Sequence, residues 1–420
     1  MTWSHISAIA WLTVRDAVRS RLLVSLSAIL ITGLISLPLL ISGGNTLDGQ
    51  VQIILKYTLA FAMGMLSAVT LWASCGGISA EIQDRRLYLV LTKPVYRHEL
   101  WLGKWLGIVG INALLLLVTG LLIQAMVWHT FHASSEPDVV KHQVREQYCL
   151  ARESVFPKDH GVRHITLPPG GAITLDYPLP RPASGNHDLI LNYSFEASRP
   201  ERMPVAASWS IVVAPDRTML LAVTNYPGLP CAIVIPGRMA AGSTNVRLAY
   251  SRKDPENPAT LRMTADKGEP ELLIPAGGGG MNLARGLFII LCRLAFLAAL
   301  GLTAGSLLSM PVAVFVAFFV MILLALSGYV ESVATSGVFY IAHEGPDPTQ
   351  TRLDLVVLSL FKIFAAATQP LVRFDPIPLI EEGRRISWNF TGQAVVWLAG
   401  LYTALMALIG ITLFNRRELG

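Results

Sequence analysis

The chain has 420 residues, 53% of them hydrophobic and only 15% charged. That is far too apolar for a soluble protein of this length, and the apolar residues come in long blocks. The net charge of +5 does not mark a nucleic-acid binder, because the cations gather at the edges of those blocks, where orientation in a membrane explains them. The four cysteines are scattered with no CxxC, which leaves no zinc or thioredoxin signature.

Met1 to Arg21 predicts a surface helix: Trp3, Ile6, Ala10, Val14 and Ala17 recur at helical spacing, with Arg15, Asp16 and Arg19 elsewhere on the wheel. The cations follow the apolar part, so this is not a signal peptide pattern. Arg15, Arg19 and Arg21 place it at the cytoplasmic interface; the plainer alternative is a frayed amphipathic start. Leu22 to Ile41 carries no charge and is long enough to cross about 30 Å of hydrocarbon. A short outer turn, Ser42 to Gln50, leads to a second span from about Tyr57 to Ile78, with Lys56 reaching the interface. Trp105 to Val127 is the third. Asn112 and Gln124 within it bond to neighbouring helices or line a substrate path.

Between the second and third spans stands AEIQDRRLYLVLTKPVYRHELWLGKWLG, Ala80 to Gly107. Arg85, Arg86, Lys93, Arg97 and Lys104 make it a cytoplasmic loop. Its leucines and Trp101 predict one or two short helices along the membrane face, broken at Pro94. The segment resembles the cytoplasmic loop of ABC transporter permeases of the exporter-like type-2 class. The residues that carry the likeness are Glu81, Leu87, Leu89, Leu91, Pro94, Val95, Arg97, Gly103 and Lys104. Where that family often has Gly-Thr, this chain has Arg85-Arg86. The resemblance implies a coupling helix that seats in a groove of a separate cytoplasmic ATPase, with Glu81, Arg85, Arg86, Leu89, Pro94, Arg97 and Lys104 at the contact. The other reading is a topogenic loop that only holds orientation.

From about Trp128 the composition turns polar. Between His164 and Ile274 short β-type runs recur: HITL, AITLDY, DLILNYSF, VAASWSIVV, TMLLAV, CAIVI, NVRLAY, TLRMTA and ELLI. Turn signals separate them, which predicts an all-β sandwich or jelly roll. Parity of the spans puts it outside the cytoplasm, where Cys149 and Cys231 could form a disulfide. Gly277 to Gly280 reads as a flexible joint back to the membrane. His129, His132, His142, His160 and His164 have no metal-ligand spacing, so no metal site is expected.

Leu287 to Ser306 and Pro311 to Tyr329 are the fourth and fifth spans. Arg293 lies within the fourth, where a cation is costly; it snorkels outward, pairs with a carboxylate or lines a substrate path. About 353–367 is helical in pattern but short, and Pro370, Pro376 and Pro378 follow, so an outer interfacial helix is expected. Ala394 to Phe414 is the sixth span, ending in Asn-Arg-Arg-Glu on the cytoplasmic side.

The expected architecture is therefore a polytopic α-helical membrane protein with six transmembrane helices. Residues 1–130 hold the interfacial helix, the first three spans and the coupling loop (80–104). Residues 131–283 form an extracytoplasmic all-β domain inserted between helices 3 and 4, and 284–420 hold the last three spans. Both termini are cytoplasmic, and the site is the inner membrane. No GxxxxGK followed by Ser or Thr occurs, so the chain cannot cradle ATP phosphates in the usual loop. No cofactor is expected in it. The resemblance implies a permease subunit that couples ATP hydrolysis by a partner, which binds ATP and Mg, to export or extraction of a substrate. The implied partners are that ATPase, a second permease (identical or a paralogue), membrane lipid and an outer partner for the β-domain, but no nucleic acid. A membrane-anchored binding or sensing protein using the β-domain to recognise a polysaccharide or protein is the alternative, although a sensor needs fewer spans. A membrane-embedded enzyme would need more polar residues at one depth than Arg293, Asn112 and Gln124 supply.

Overall fold

The computed structural model describes residues 3–41, 46–83, 96–158, 164–168, 170–197, 204–214, 217–229, 231–253, 260–264, 270–325, 359 and 372–416. Two compact units emerge. Met1–Pro137, Gly280–Glu382 and Ile386–Gly420 form a helical unit; Asp138–Gly279 and Gly383–Arg385 form a β unit.

The helical unit begins with α1 (Trp3–Arg19), α2 (Arg21–Leu40), α3 (Leu47–Gln83) and α4 (Arg97–Ala133). The last two overrun the apolar blocks that predict them. α4 starts at Arg97 because Tyr96 is extended (φ −78, ψ 149) and its N–H donates to the Glu99 carboxylate at 3.4 Å, which gives a free end donor an acceptor. Within the apolar stretches, hydroxyls on Ser67, Ser74, Ser79 and Thr119 donate to the carbonyl four residues back. Polar groups are thus satisfied locally, as lipid surroundings demand. Between α3 and α4, Thr70 Oγ1 donates to Asn112 Oδ1 at 3.1 Å.

The β unit opens with α5 (Asp138–Tyr148) and β1 (Leu150–Val155). Next come β2 (His164–Leu167), β3 (Ala172–Pro178), β4 (Leu189–Tyr193), β5 (Glu196–Ala197), β6 (Val205–Ala214) and β7 (Arg217–Asn225). Then follow β8 (Cys231–Ile235), α6 (Gly237–Ala240), β9 (Asn245–Arg252), β10 (Leu261–Thr264) and β11 (Glu271–Gly278). The strands form sheets in the orders β1-β11-β4-β8, β3-β9-β6-β7 and β2-β10-β5, and every pairing of strands is antiparallel. Burial alternates along β9, where Val246, Leu248 and Tyr250 point inward, the period of a half-buried strand. The two four-stranded sheets share one core, as in a sandwich. Tyr193 of one lies 5.1 Å from Trp209 of the other, and Trp209 lies 4.9 Å from Tyr250. The Tyr193 hydroxyl donates to Asn225 Oδ1 at 3.1 Å, and burial pushes its pKa up to about 12.

β1 is held from both sides. On one edge it pairs with β11. On the other lies a tripeptide from far along the chain: Arg152 N–H donates to Gly383 O at 2.9 Å, and Arg385 N–H donates to Arg152 O at 2.7 Å. Gly383 has φ +67, the left-handed region where glycine is at ease. Arg384 pairs with Glu271 at 2.6 Å, and Arg385 with Glu153 at 3.0 Å. Beneath them Arg152 is only 1% exposed. Its guanidinium donates to Glu146 O at 3.0 and 2.8 Å, to Asp188 O at 2.6 Å and to Glu146 Oε2 at 3.4 Å.

The sequence reading places a flexible joint at Gly277 to Gly280. Instead, β11 runs to Gly278 and α7 (Gly279–Leu307) starts at the next residue. The ladder keeps these glycines straight: Gly277 pairs with Ala151, Gly278 with Leu150, and Gly279 N–H donates to Cys149 O at 2.8 Å. α8 (Met310–Ala325), α9 (Ile377–Glu381) and a last helix, α10 (Trp388–Arg416), complete the helical unit. α10 is wound as a π-helix over Val395–Tyr402, and Thr403 Oγ1 donates five residues back to Leu398 O at 2.9 Å. α9 is pinned by Lys56, whose ammonium meets Glu381 at 2.7 Å.

Among the described residues, four helices are long and apolar enough to cross a membrane: Leu47–Ser79, Arg97–Ala133, Gly279–Leu307 and Trp388–Arg416. A fifth arises if α1 and α2, bent by 70° to each other, are one broken span. Met310–Ile322 is apolar but shorter, and the described part of that expected span stops at Ala325. The expected interfacial helix at about 353–367 lies outside the described residues, Ser359 apart.

Arg152→Ala removes the cation and leaves the buried Glu146 side chain without it. The variant should lose about 3–5 kcal/mol, read as an earlier denaturant midpoint for the β-unit signal of the full chain in detergent. Tyr193 gives a pH test. Its raised pKa contributes stability that is complete below about pH 10 and is lost as pH rises through about 12. Tyr193→Phe should remove that component of alkaline destabilisation, leaving a smaller drop in thermal midpoint between those pH values.

Candidate functional site at the start of α4

Four helices converge on the first turns of α4. α1 lies against it because Gly103 and Gly107 present no side chain. A Cβ on Gly103 would stand 2.6 Å from Ile9 Cβ, and one on Gly107 2.7 Å from Thr13 Cβ. Small residues one turn apart let helix backbones approach closely. α3 is tied in by Lys104, which is 6% exposed and donates from Nζ to Gly77 O at 2.7 Å. α7 is tied in by Trp105, whose Nε1 donates to Ala295 O at 2.8 Å.

α10 joins through its end. Arg97 donates from Nη1 to Phe414 O at 2.6 Å and to Asn415 O at 3.3 Å, and its guanidinium lies 5.4 Å from the Phe414 ring centre. The last carbonyls of a helix have no intrahelical donor and carry the negative end of the dipole, so a cation there satisfies both. The acidic counterpart is Glu99, 1% exposed in the first turn of α4. It meets His5 Nδ1 of α1 at 3.3 Å. Trp101 fills the middle with no exposed surface, among Ile78, Leu302 and Phe414.

The segment 84–95 is strung from the end of α3 to the start of α4, so a force applied to it acts first on this junction. Of the residues that carry the permease resemblance, Arg97, Gly103 and Lys104 come together here. The two cations are engaged with backbone carbonyls of the helical unit. Arg85, Arg86, Leu89 and Pro94 lie outside the described residues, and of Glu81 the structure describes the backbone alone, within α3.

Arg293 Nη1 contacts Met63 Sδ at 3.7 Å, and the carboxylate whose charge bears on it is Asp375. Asn112 is buried on Thr70, with its Nδ2 left without a partner. Gln124 faces outward. Cys149 and Cys231 carry free thiols and are not bonded to each other; burial pushes both pKa values up. The carbonyl of Cys149 is engaged by Gly279, and the Cys231 thiol points to Leu229 O at 3.7 Å. Among the described residues no three His, Cys, Asp or Glu side chains gather to hold a metal. Sequence reasoning missed His5, Glu99, Trp105 and Gly107. Gly103 and Gly107 are visible as a small-residue pair, but their partner helix is not.

Helices of this length and hydropathy make the chain a multi-pass membrane protein with a β unit. Residues 7–141 match the family model described as ABC-2 family transporter protein. That match runs from α1 into α5 and supports an ABC-2 type permease subunit. No curated protein matches the chain.

The close approach of α1 to α4 gives a test with an internal control. Gly107→Val should cost about 1–3 kcal/mol by overpacking against Thr13, lowering the thermal midpoint in detergent. Gly110→Val, on the same helix with nothing within 4 Å of its Cβ position, should leave the midpoint nearly unchanged.

Proposed function

We propose that the chain is the permease subunit of an ABC transporter, coupling ATP hydrolysis by a separate cytoplasmic ATPase to export or extraction of a substrate. The observation that carries this reading is the ABC-2 match over residues 7–141, which encloses the whole cationic segment 80–104. ABC-2 permeases in general go with an ATPase partner and a dimeric arrangement, so a second copy or a paralogue completes the membrane part. ATP and Mg belong to the partner. This chain works without a catalytic site of its own.

In this reading the ATPase presses on the segment around Arg85, Arg86, Leu89 and Pro94. The junction of α1, α3, α4 and α10 takes up the displacement. Lys104 and Arg97 serve as braces there, since a cation with a buried carbonyl acceptor is costly to pull away from it. α3 and α4 then shift together and change access to a path between permease subunits. Both termini face the cytoplasm of the inner membrane, and the β unit stands outside, where it guides substrate or meets an outer partner.

The double variant Arg85→Glu/Arg86→Glu tests the coupling surface without touching the braces. In a reconstituted complex, substrate-stimulated ATP hydrolysis should fall by about 5-fold or more, while the complex keeps its thermal midpoint. Unchanged stimulation, or a purified permease that never retains a nucleotide-hydrolysing partner, refutes the reading.

A further inference from the structure

A cavity of about 1140 Å³ opens between α2, α3 and α4 in the helical unit. It lies at one end of all three helices: the last turn of α2, the first turns of α3 and the last turns of α4. Its volume exceeds the ~300–1,000 Å³ usual for small-ligand sites. Its chemistry is graded along the helix axes. Ile35, Ile54, Leu122 and Ala125 line the part nearer the helix middles, which belongs to the apolar stretches; Gln50, His129 and Glu136 stand nearer the helix ends. Pro38 shapes one wall within α2, and Trp128, exposed at the same level, is the residue type that marks the water–lipid boundary.

We infer that this cavity binds one glycerophospholipid with a zwitterionic head, acyl chains inward and head at the rim. Among the described residues the apolar part of the wall offers no hydrogen-bonding side chain, so a polar solute has nothing to replace its water there. The rim offers acceptors and donors, and that suits a head group. The charge of the rim selects which head. Among the described residues it is lined by one carboxylate, Glu136, and one imidazole, His129, with neither Lys nor Arg. An ammonium can meet Glu136, whereas a head with net negative charge would meet a carboxylate and no fixed cation. The inference rests on the chain spanning a membrane and not on any ATPase partner, so it stands or falls apart from the coupling role.

The test uses the full chain in a mild detergent, offered an equimolar mixture of phosphatidylethanolamine and phosphatidylglycerol, with bound lipid read by native mass spectrometry. Wild-type protein should retain phosphatidylethanolamine about 10-fold over phosphatidylglycerol. Ala125→Trp, which projects an indole into the cavity, should lower retention by about 10-fold at an unchanged thermal midpoint. Glu136→Lys, at the rim where folding is little affected, should reverse the preference toward phosphatidylglycerol. Wild-type protein that retains neither lipid, or both equally, overturns the proposal, as does a Glu136→Lys variant that keeps the original preference. A folded Ala125→Trp variant with full retention places the lipid elsewhere and also overturns it.

Discussion

A lysine buried in an apolar bundle must find an acceptor, and Lys104 finds the carbonyl of Gly77. Much of the helical unit follows from that bond. The two residues lie on successive helices, α3 and α4, joined by the chain from 78 to 103. Its two ends are fastened to each other by one charge-assisted hydrogen bond, the stronger kind. Arg97 repeats the device one helix away, on the closing carbonyls of α10. Both cations donate to backbone carbonyls. Exposed ion pairs are worth little, but a cation and a carbonyl sequestered together are hard to separate, because each would be left desolvated. The two bonds fasten α3 and α10 to the first turns of α4.

The β unit solves a different problem. Its core is built from aromatic groups contributed by both four-stranded sheets, Tyr193, Trp209 and Tyr250, with Asn225 placed to take the Tyr193 hydroxyl. The second polar centre is Arg152, wrapped in carbonyls and Glu146. Burial lowers its pKa, and the charges of Glu146 and Asp188 oppose that. A guanidinium with its donors spent on fixed acceptors sets where α5, β1 and the start of β4 must lie relative to one another. Apolar packing alone would leave that register looser.

The nine short β-type runs in the middle of the sequence each became a strand, because alternation and β-branched content are local signals. β1 was not legible. Its sequence, Leu150 to Val155, carries Arg152 and Glu153, and its pairing comes from β11 and from Gly383–Arg385, distant in the chain. The continuity of α4 was hidden: a separate short helix is expected after Pro94, but Arg97 to Lys104 is the first part of the spanning helix itself, where Glu99, Arg97 and Lys104 each have a tertiary partner. For the same reason the site was only half readable. Arg97 and Lys104 could be singled out by charge and by resemblance, but their acceptors are backbone carbonyls, which have no signature in a sequence. The glycines at 277–280 misled in the opposite direction, since a ladder held straight what composition suggested was loose.

The three residues Gly383 to Arg385 have a consequence for how this architecture can be altered or inherited. The β unit is discontinuous: its final edge is supplied by chain that has already run through α7, α8 and α9. Excising 138–279 as a cassette, or grafting it into another membrane protein, would leave one flank of β1 without its main-chain partners and would strand Glu153 and Glu271 from their arginines. A transplant must carry both pieces. Recombination that cuts only at the obvious insertion points therefore yields a recipient with a raw sheet margin and a donor holding two orphaned arginines.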